Sequence, residues 1–196
     1  MIEIEKKFIL TKDQKDNLID EAEFLGEKKF TDIYYDNADF TLTKSDIWLR
    51  ERDGKFELKI PMNESIKNRV SDQYRELDNE RDILQYFRSG INKSLADFLN
   101  QSRYEPFCFI TTTRKKYKKN NFSIDLDSMD FGYQIAEIEY MTDDESKIQE
   151  STESIITFAK KHYINTDAVV RGKVVEYIRL NNPRHFQILI EAQVIK

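Results

Sequence analysis

The sequence predicts an α+β domain built on a large, mostly antiparallel sheet or barrel, with helices outside its hairpins. Three observations predict this fold class: short runs that alternate polar and apolar residues, hairpin signals between such runs, and helix-capping residues in the segments that intervene. The chain has 196 residues, of which 39% are hydrophobic, and this is enough to bury the core of a single domain spanning 1–196.

Alternating runs predict the strands. They are residues 3–9, 30–36, 47–53, 55–60, 72–77, 107–118, 121–127, 133–140, 169–177 and 186–195. Asp53 and Gly54 stand between two of these runs, which is a strong hairpin signal. Asn120 and Asn121 mark a second, weaker hairpin.

Capping residues predict helices at both ends of the chain. Thr11 and Gln14 form a capping box before an amphipathic stretch that runs to Leu25. Thr142 and Glu145 cap a later helix in the same way.

An insert at about 79–100 is predicted to hold two further helices. The first spans 79–89 with Gly90 as its stop, and the second spans 94–100. The insert shows no pattern of chemically active residues, so we interpret it as covering structure.

The composition excludes several classes of protein. The formal net charge of -5 argues against a non-specific nucleic-acid or membrane binder, because such binding needs a net basic surface. Cys108 is the only cysteine, which rules out an internal disulfide, and we interpret it as a small buried hydrophobe. The sequence has no signal-peptide pattern and no apolar run of membrane-spanning length, so we expect a cytoplasmic protein, and we expect a monomer.

Charged residues segregate by strand when the alternation is used to assign faces. Paired acids are Glu3 with Glu5, Asp125 with Asp127, and Glu137 with Glu139; paired bases are Arg50 with Arg52, Arg114 with Lys116, and Arg171 with Lys173. In any single run, one apolar and one charged face are typical of a half-solvated antiparallel strand. An exposed sheet has no reason to separate acids from bases strand by strand, so the whole set indicates a charged lumen.

Such a lumen fits a polyphosphate bound together with metal ions. Guanidinium groups present a planar fork to phosphate oxygens, and lysines add compact positive charge. Paired carboxylates suit Mg²⁺, which prefers a few hard oxygen ligands and assists the attack of water on phosphate.

The run Glu3-x-Glu5-x-Lys7 resembles the E-x-E-x-K signature that opens the CYTH domains, also called triphosphate tunnel metalloenzymes. It is followed in order by TDIYYD, WLRERDGKFELKIP, TTTRKKY, IDLDSMDFGYQIAEIEY and GKVVEYI, so the resemblance covers nearly the whole chain. Within that family the chain most resembles the thiamine triphosphatases. The resemblance implies a closed, antiparallel, eight-stranded β-barrel with helices packed outside. It also implies a reaction that removes the terminal phosphate of a small-molecule triphosphate with Mg²⁺, or alternatively Mn²⁺.

The resemblance assigns roles to positions. The metal-binding acids would be Glu3, Glu5, Asp125, Asp127, Glu137 and Glu139, and we expect direct contact from Glu3, Asp127 and Glu139. The phosphate clamp would be Lys7, Arg50, Arg52, Lys59, Arg114, Lys173 and, less centrally, Lys116. Trp48 would stack on the cationic thiazolium of thiamine, although ordinary barrel packing is an alternative interpretation.

One position departs from the thiamine triphosphatases. Animal members carry a histidine before a Y-K-E-L strand, paired with the lysine that Lys59 matches, and here Ser71 stands in that place. We therefore expect Tyr34, near Lys59, to manage the proton, unless it is a core aromatic, and Glu5 or a lysine-centred pair to orient the water. The alternatives are an inorganic tripolyphosphatase of the same fold, an adenylate cyclase, or a non-catalytic polyphosphate-binding module, although the complete acid set argues against the last.

Overall fold

The computed structural model describes residues 2–62, 70–88 and 94–195 of the chain. Over these residues the chain forms eight β-strands and six α-helices. The strands are β1 (Ile2–Phe8), β2 (Glu23–Asp36), β3 (Trp48–Arg52), β4 (Lys55–Pro61), β5 (Asp72–Leu77), β6 (Glu105–Lys119), β7 (Phe122–Met129) and β8 (Gln134–Thr142). The helices are α1 (Lys12–Ile19), α2 (Glu80–Tyr86), α3 (Leu95–Ser102), α4 (Ile148–Lys161), α5 (Lys173–Asn181) and α6 (Pro183–Glu191).

The strands close into an antiparallel barrel in the order β1-β5-β4-β3-β2-β6-β7-β8, and β8 pairs back onto β1. Alternate side chains therefore point into the lumen and out toward the helices. The register places Glu5 opposite Asp72 on one side and opposite Glu139 on the other. The predicted closed, antiparallel, eight-stranded barrel with helices outside is confirmed over the described residues.

Local signals in the sequence determined several turns and one helix start. Asp53 and Gly54 both adopt positive φ, at 52° and 75°, as a two-residue type I′ hairpin between β3 and β4 requires. Asn120 has a φ of 55° in the turn between β6 and β7. Thr11 and Gln14 form the predicted capping box at the start of α1.

Helices cover the outward apolar faces of the barrel. Phe158 of α4 packs in one core cluster with Ile4 of β1, and Leu95 of α3 packs in another with Leu58 of β4. The position of α2 and α3 agrees with a covering role for the insert, although its residues 89–93, including the expected stop at Gly90, lie outside the described residues. Within the described part of the chain, no helix combines the length and apolar character needed to cross a membrane.

The predicted strands at 169–177 and 186–195 are wrong, because these segments form α5 and α6. Val174, Val175 and Ile178 are buried at the spacing of one helical face. Their β-branched side chains favour strands in isolation, but burial against the barrel outweighs that propensity.

Two predicted helix boundaries are also wrong. α1 ends at Ile19, and Phe24 and Leu25 belong to the first part of β2, which pairs with β6. Thr142 is the last residue of β8, and the chain enters α4 through a 3₁₀ turn that Asp144 caps. After α1, pairing of β2 with β6 outweighed the amphipathic pattern, and at Thr142 pairing within β8 outweighed the local capping signal.

Candidate active site

A cavity of about 580 Å³ occupies the lumen of the barrel. All the predicted site residues line it except Asp125 and Asp127, whose side chains are fully buried and bound to Arg114. The segment that leads into α5 lines the same cavity, as do Val194 and Ile195 after α6. One enclosed space therefore brings together acids, bases and aromatic rings from all parts of the chain.

Two overlapping clusters of carboxylates lie on β1, β7 and β8. Glu3, Glu5 and Glu139 form the first, and Asp125, Glu137 and Glu139 form the second. In each cluster the carboxylate oxygens that could act as ligands lie within 4.8 Å of one another, and all five side chains are buried. The clusters exist because β8 pairs with both β1 and β7, which sets these alternate positions side by side. Each cluster could hold a metal ion.

The electrostatics of these clusters favour a bound cation. Burial raises the pKa of Glu3 to about 8, although Lys59 opposes the shift. Burial, and then the charges of Glu3 and Asp125, raise the pKa of Glu139 well above its ordinary value. Asp125 Oδ1 is buried and has no hydrogen-bond partner among the described residues. Crowded carboxylates fit Mg²⁺, whose charge relieves the repulsion between them.

Asp127, for which direct contact with the metal stays a prediction, binds Arg114 in this structure. The Nε and Nη2 atoms of Arg114 donate to the two carboxylate oxygens of Asp127, each at 2.6 Å. Arg114 also donates to Asp125, and to Glu137 at 2.8 Å. The guanidinium is therefore fixed by three carboxylates beside the acid clusters, and both oxygens of Asp127 are engaged.

Glu5 differs from the clustered acids Glu3, Glu137 and Glu139 because it is stabilised in its ionised form. Burial disfavours its charge, but the attraction of Lys7 and Lys59 outweighs burial and lowers the pKa of Glu5 to about 2. Lys7 Nζ donates to Glu5 Oε1 at 2.5 Å and to Asp72 Oδ2 at 2.6 Å. At neutral pH, Glu5 is an ionised carboxylate that can bind a cation or accept a hydrogen bond from water.

Three cationic side chains lie within 4 Å of one buried carboxylate, that of Asp32. Arg52 donates to it at 2.6 and 3.0 Å, Lys173 Nζ lies 2.6 Å away, and Arg50 Nε lies 3.7 Å away. Burial opposes the charge of Asp32, but the hydrogen bond from Arg52 and the nearby cations hold its pKa well below the ordinary value. The guanidinium of Arg52 also stacks on Phe30, with its central carbon 3.8 Å from the ring centroid. The result is a preformed cationic region in the lumen.

Lys59 lies between two acids, Glu3 and Glu76. Its Nζ donates to Glu3 and lies 2.8 Å from Glu76 Oε1. Burial lowers the pKa of Lys59, but the attraction of Glu3 and neighbouring acids outweighs burial and raises it well above the ordinary value. Lys59 is therefore a cation in this structure.

Tyr34 packs against other aromatic side chains rather than in a polar pair. Its ring meets Trp48 edge-on, with 6.5 Å between centroids and an angle of 88°, and lies 6.5 Å from Phe107. Burial raises the pKa of the Tyr34 hydroxyl, so it keeps its proton at neutral pH. The tyrosine beside Lys59 is Tyr74 on β5, whose ring centroid is 5.8 Å from Lys59 Nζ.

Lys116 and Ser71 lie at the margin of the site. The side chain of Lys116 is 42% exposed, and its Nζ lies 3.4 Å from Asp125 Oδ1. The Ser71 hydroxyl lies 3.0 Å from Thr152 Oγ1 of α4, so this position, which replaces the expected histidine, is tied to the covering helix.

Sequence reasoning missed four acids that hold the cations in place, namely Asp32, Glu57, Asp72 and Glu76. The signal was present, because Asp32 shares a strand face with Tyr34, and Asp72 and Glu76 share one on β5. Their importance follows from the barrel register, which sets Asp32 opposite Arg52.

One end of the cavity is apolar. Trp48 is buried there in one core cluster with Tyr34, Val174, Val175 and Val194. α5 begins directly beside the charged region, because its first residue is the predicted clamp residue Lys173. The cavity therefore offers charged groups and an apolar surface to a single ligand.

Comparisons with known proteins agree with this arrangement. A family model described as the CYTH domain matches residues 1–172. The chain is 24% identical over 213 residues to a thiamine-triphosphatase of Macaca fascicularis, covering 100% of this chain and 92% of that protein. It is 25% identical over 209 residues to the thiamine-triphosphatase of Homo sapiens, covering 98% and 90%. A Vibrio parahaemolyticus protein provisionally described as an adenylate cyclase has a similar structure, with a TM-score of 0.63, 21% identity, and coverage of 91% of this chain and 98% of that chain.

Proposed function

Since this chain belongs to the CYTH domain family, we propose that it hydrolyses an organic triphosphate at its terminal phosphate, with thiamine triphosphate as substrate and Mg²⁺ as metal. The observation that carries the proposal is the single cavity that joins paired carboxylates, buried cations and an apolar end with Trp48. Two relatives named thiamine-triphosphatase, matched over nearly their full length, support the choice of substrate.

The cations of the lumen bind the triphosphate in this proposal. Arg52 and Lys173 share one counter-ion, Asp32, while Arg50 donates to Glu57, and phosphate oxygens offer several more acceptors to the same donors. Arg114 is held rigidly by Asp127, so its charge needs little reorganisation as negative charge develops on the transferred phosphoryl group.

The carboxylate clusters hold the metal in this proposal. Glu3, Glu5 and Glu139 would bind one ion, and Asp125 and Glu137 would contribute with Glu139 to a second position. When bound, Mg²⁺ supplies positive charge against the phosphate oxygens.

Glu5 and Lys59 act on the water and the phosphate. The low pKa of Glu5 keeps it ionised, so it can orient a water molecule by accepting a hydrogen bond from it. Lys59 is held as a cation by Glu3 and Glu76, and it contributes charge to the phosphates rather than acting as a base. Tyr34, with its raised pKa and aromatic neighbours, belongs to the apolar wall in this mechanism.

Trp48 supports an organic rather than an inorganic triphosphate. An indole face can stack on the cationic thiazolium ring of thiamine, an interaction worth about 1–2 kcal/mol in a desolvated site. Inorganic tripolyphosphate has no organic group and would make no contact with the apolar end of the cavity. The two candidate substrates therefore differ in whether they contact Trp48.

The experiment measures phosphate release from thiamine triphosphate, tripolyphosphate and ATP at equal concentration, with Mg²⁺, Mn²⁺ or Ca²⁺ and without metal, and follows cyclic AMP in the ATP samples. We expect thiamine triphosphate with Mg²⁺ to give the highest turnover. Equal or faster turnover of tripolyphosphate would contradict the thiamine assignment, and cyclic AMP formation would indicate a cyclase. Binding without any turnover would indicate a non-catalytic module.

A pair of arginine variants tests the role of the lumen. Arg52→Ala should lower turnover by about 100-fold or more, because it removes a preorganised contact to the reacting phosphates. Arg75→Ala is the matched control, since Arg75 also forms an ion pair, with Glu145, but is half exposed. Near-normal turnover in Arg52→Ala would show that Arg52 does not contact the substrate.

A further inference from the structure

Asp46 is a buried carboxylate in the wall of the cavity, close in sequence to Trp48. It lies two residues before Trp48, after the 3₁₀ turn Thr43–Ser45, and is only 7% exposed. Its backbone adopts the left-handed conformation, with φ 60° and ψ 23°, and its N–H donates to Thr43 O at 2.9 Å. Aspartate is one of the non-glycine residues most often found in this conformation, which here ends the 3₁₀ turn and places Asp46 before β3.

The side chain of Asp46 accepts hydrogen bonds from two aromatic residues of the cavity wall. Trp48 Nε1 donates to Asp46 Oδ1 at 2.9 Å, and the Tyr74 hydroxyl donates to the same oxygen at 3.0 Å. Both aromatic side chains are more than nine-tenths buried, and buried indole and phenol groups need an acceptor. An ionised acceptor makes such bonds stronger than a neutral one.

The two rings that Asp46 joins come from strands that are not neighbours. Trp48 is on β3 and Tyr74 is on β5, with β4 between them, and Trp48 pairs directly with Lys59 of β4. The Tyr74 ring lies 5.8 Å from Lys59 Nζ. A single carboxylate oxygen thus fixes the aromatic surface on both sides of Lys59.

We propose that Asp46 is a positioning residue that orients Trp48 and Tyr74 so that their rings bind the organic group of the substrate. This inference rests on the proposed function, because only an organic triphosphate has a group that reaches the aromatic wall. Asp46 acts through the two rings and has no part in binding phosphate, so its effect is specific to organic substrates.

The test compares Asp46→Asn, which keeps the shape and removes the charge, with Asp144→Asn at an exposed turn outside the cavity. Loss of a charged hydrogen-bond acceptor should raise KM for thiamine triphosphate about tenfold, with kcat little changed. KM for tripolyphosphate should change by less than about twofold, since this substrate has no organic group. A similar loss with both substrates, or no change with either, would overturn the proposal.

Trp48 also gives a readout that does not depend on activity, because it is the only tryptophan in the chain. Asp46→Asn should increase acrylamide quenching of Trp48 fluorescence and shift its emission to longer wavelength, whereas Asp144→Asn should change neither. Unchanged fluorescence in Asp46→Asn would overturn the proposal. If the unmodified protein hydrolyses neither substrate, the proposed function fails, and the fluorescence alone decides whether Asp46 orders the indole.

Tyr74→Phe provides a second variant in case Asp46→Asn does not fold. It removes one of the two donors and leaves the Trp48 bond to Asp46 in place. We expect a smaller rise in KM, confined to thiamine triphosphate. A Tyr74→Phe protein with wild-type KM for thiamine triphosphate would contradict the role assigned to the pair of rings.

Discussion

At the scale of single residues, the site depends on acids that do not bind the metal. Asp32 has no exposed surface and neutralises cations that arrive from different elements, among them Arg52 of β3 and Lys173 of α5. Like charges in a buried space repel strongly unless each has a counter-ion. Asp32 therefore allows the barrel to fold with its phosphate-binding groups already assembled.

Replacing Asp32 by Asn should destabilise the protein by about 3 kcal/mol, because removing one partner leaves buried cations uncompensated. Tripolyphosphate without metal should restore more stability to Asp32→Asn than to the unmodified protein, since phosphate oxygens replace the lost carboxylate. Urea unfolding with and without tripolyphosphate measures both effects. Asp13→Asn, at an exposed position of α1, is the control. Equal stability of the unmodified protein and Asp32→Asn would contradict the counter-ion role.

The structure stabilises the charge of Glu5 through Lys7, whose Nζ lies 2.5 Å from Glu5 Oε1. Glu5→Gln should lower turnover by about 100-fold or more, because a neutral amide binds a divalent cation poorly and is a weaker acceptor for the hydrogen bond that orients the water. The variant should also be less stable than the unmodified protein at neutral pH, because the native state favours the ionised form of Glu5 and the substitution leaves Lys7 with less compensating charge. Measuring kcat together with the unfolding temperature tests both parts. Glu153→Gln, on the exposed side of α4, is the matched control substitution. A near-normal kcat in Glu5→Gln would contradict the role of Glu5 in orienting water and binding metal.

At the scale of elements, α6 is attached to the barrel through a buried histidine. His185 Nε2 lies 2.7 Å from Thr43 Oγ1, and its ring stacks on Phe40 with 3.9 Å between centroids. Burial lowers the pKa of His185 to about 4, although Asp36 opposes the shift. This contact holds the turn that precedes Asp46, so the docking of α6 and the aromatic wall are connected.

The attachment of α6 should weaken as pH falls. Between the ordinary histidine pKa of 6.5 and the folded value of about 4, the unfolded chain binds a proton that the native state does not bind, so stability is lost. The unmodified protein and His185→Gln differ in their free energy of unfolding. This difference should shrink by about 1 kcal/mol for each unit by which the pH falls within this window. Urea unfolding of both proteins at several pH values measures the difference. His162→Gln, at a partly exposed site, should show a smaller dependence, and a pH-independent difference for His185→Gln would contradict the mechanism.

The barrel could be predicted from the sequence because its strands have one charged and one apolar face. The helices α5 and α6 could not be predicted from the sequence. Val174 and Val175 favour a strand locally, and only their packing against the barrel makes a helix the more stable conformation for α5. Lys173 was still identified correctly as a lumen residue through the family motif, although the strand argument for it was wrong. The contacts of Asp32 and Asp46 could not be predicted, because they depend on which strands are neighbours and in which register.

At the scale of the whole molecule, the closed barrel encloses far more charge than an ordinary core. Salt bridges neutralise much of it, but the carboxylates around Glu139 have an excess of negative charge, with oxygens of three acids within 4.8 Å in each cluster. A structure that buries like charges is less stable than its apolar packing allows. A substitution that removes one of these charges should therefore raise the stability of the ligand-free protein and lower its capacity to bind metal.

Glu139→Gln tests this opposition, because Glu139 belongs to both carboxylate clusters. Without metal, the variant should be more stable than the unmodified protein by about 1–4 kcal/mol, since a neutral amide removes the repulsion. This gain in stability should be larger near pH 8 than near pH 5. Because the pKa of Glu139 is raised in the folded protein, the contribution of Glu139 to stability is present below the ordinary carboxyl pKa and is lost as the pH rises. Mg²⁺ should raise the unfolding temperature of the unmodified protein more than that of the variant, because the ion binds the native clusters. Thermal unfolding across a Mg²⁺ series, with exposed Glu150→Gln as control, measures each effect. A destabilised Glu139→Gln protein with an unchanged response to Mg²⁺ would show that the clustered acids serve the fold and do not bind metal.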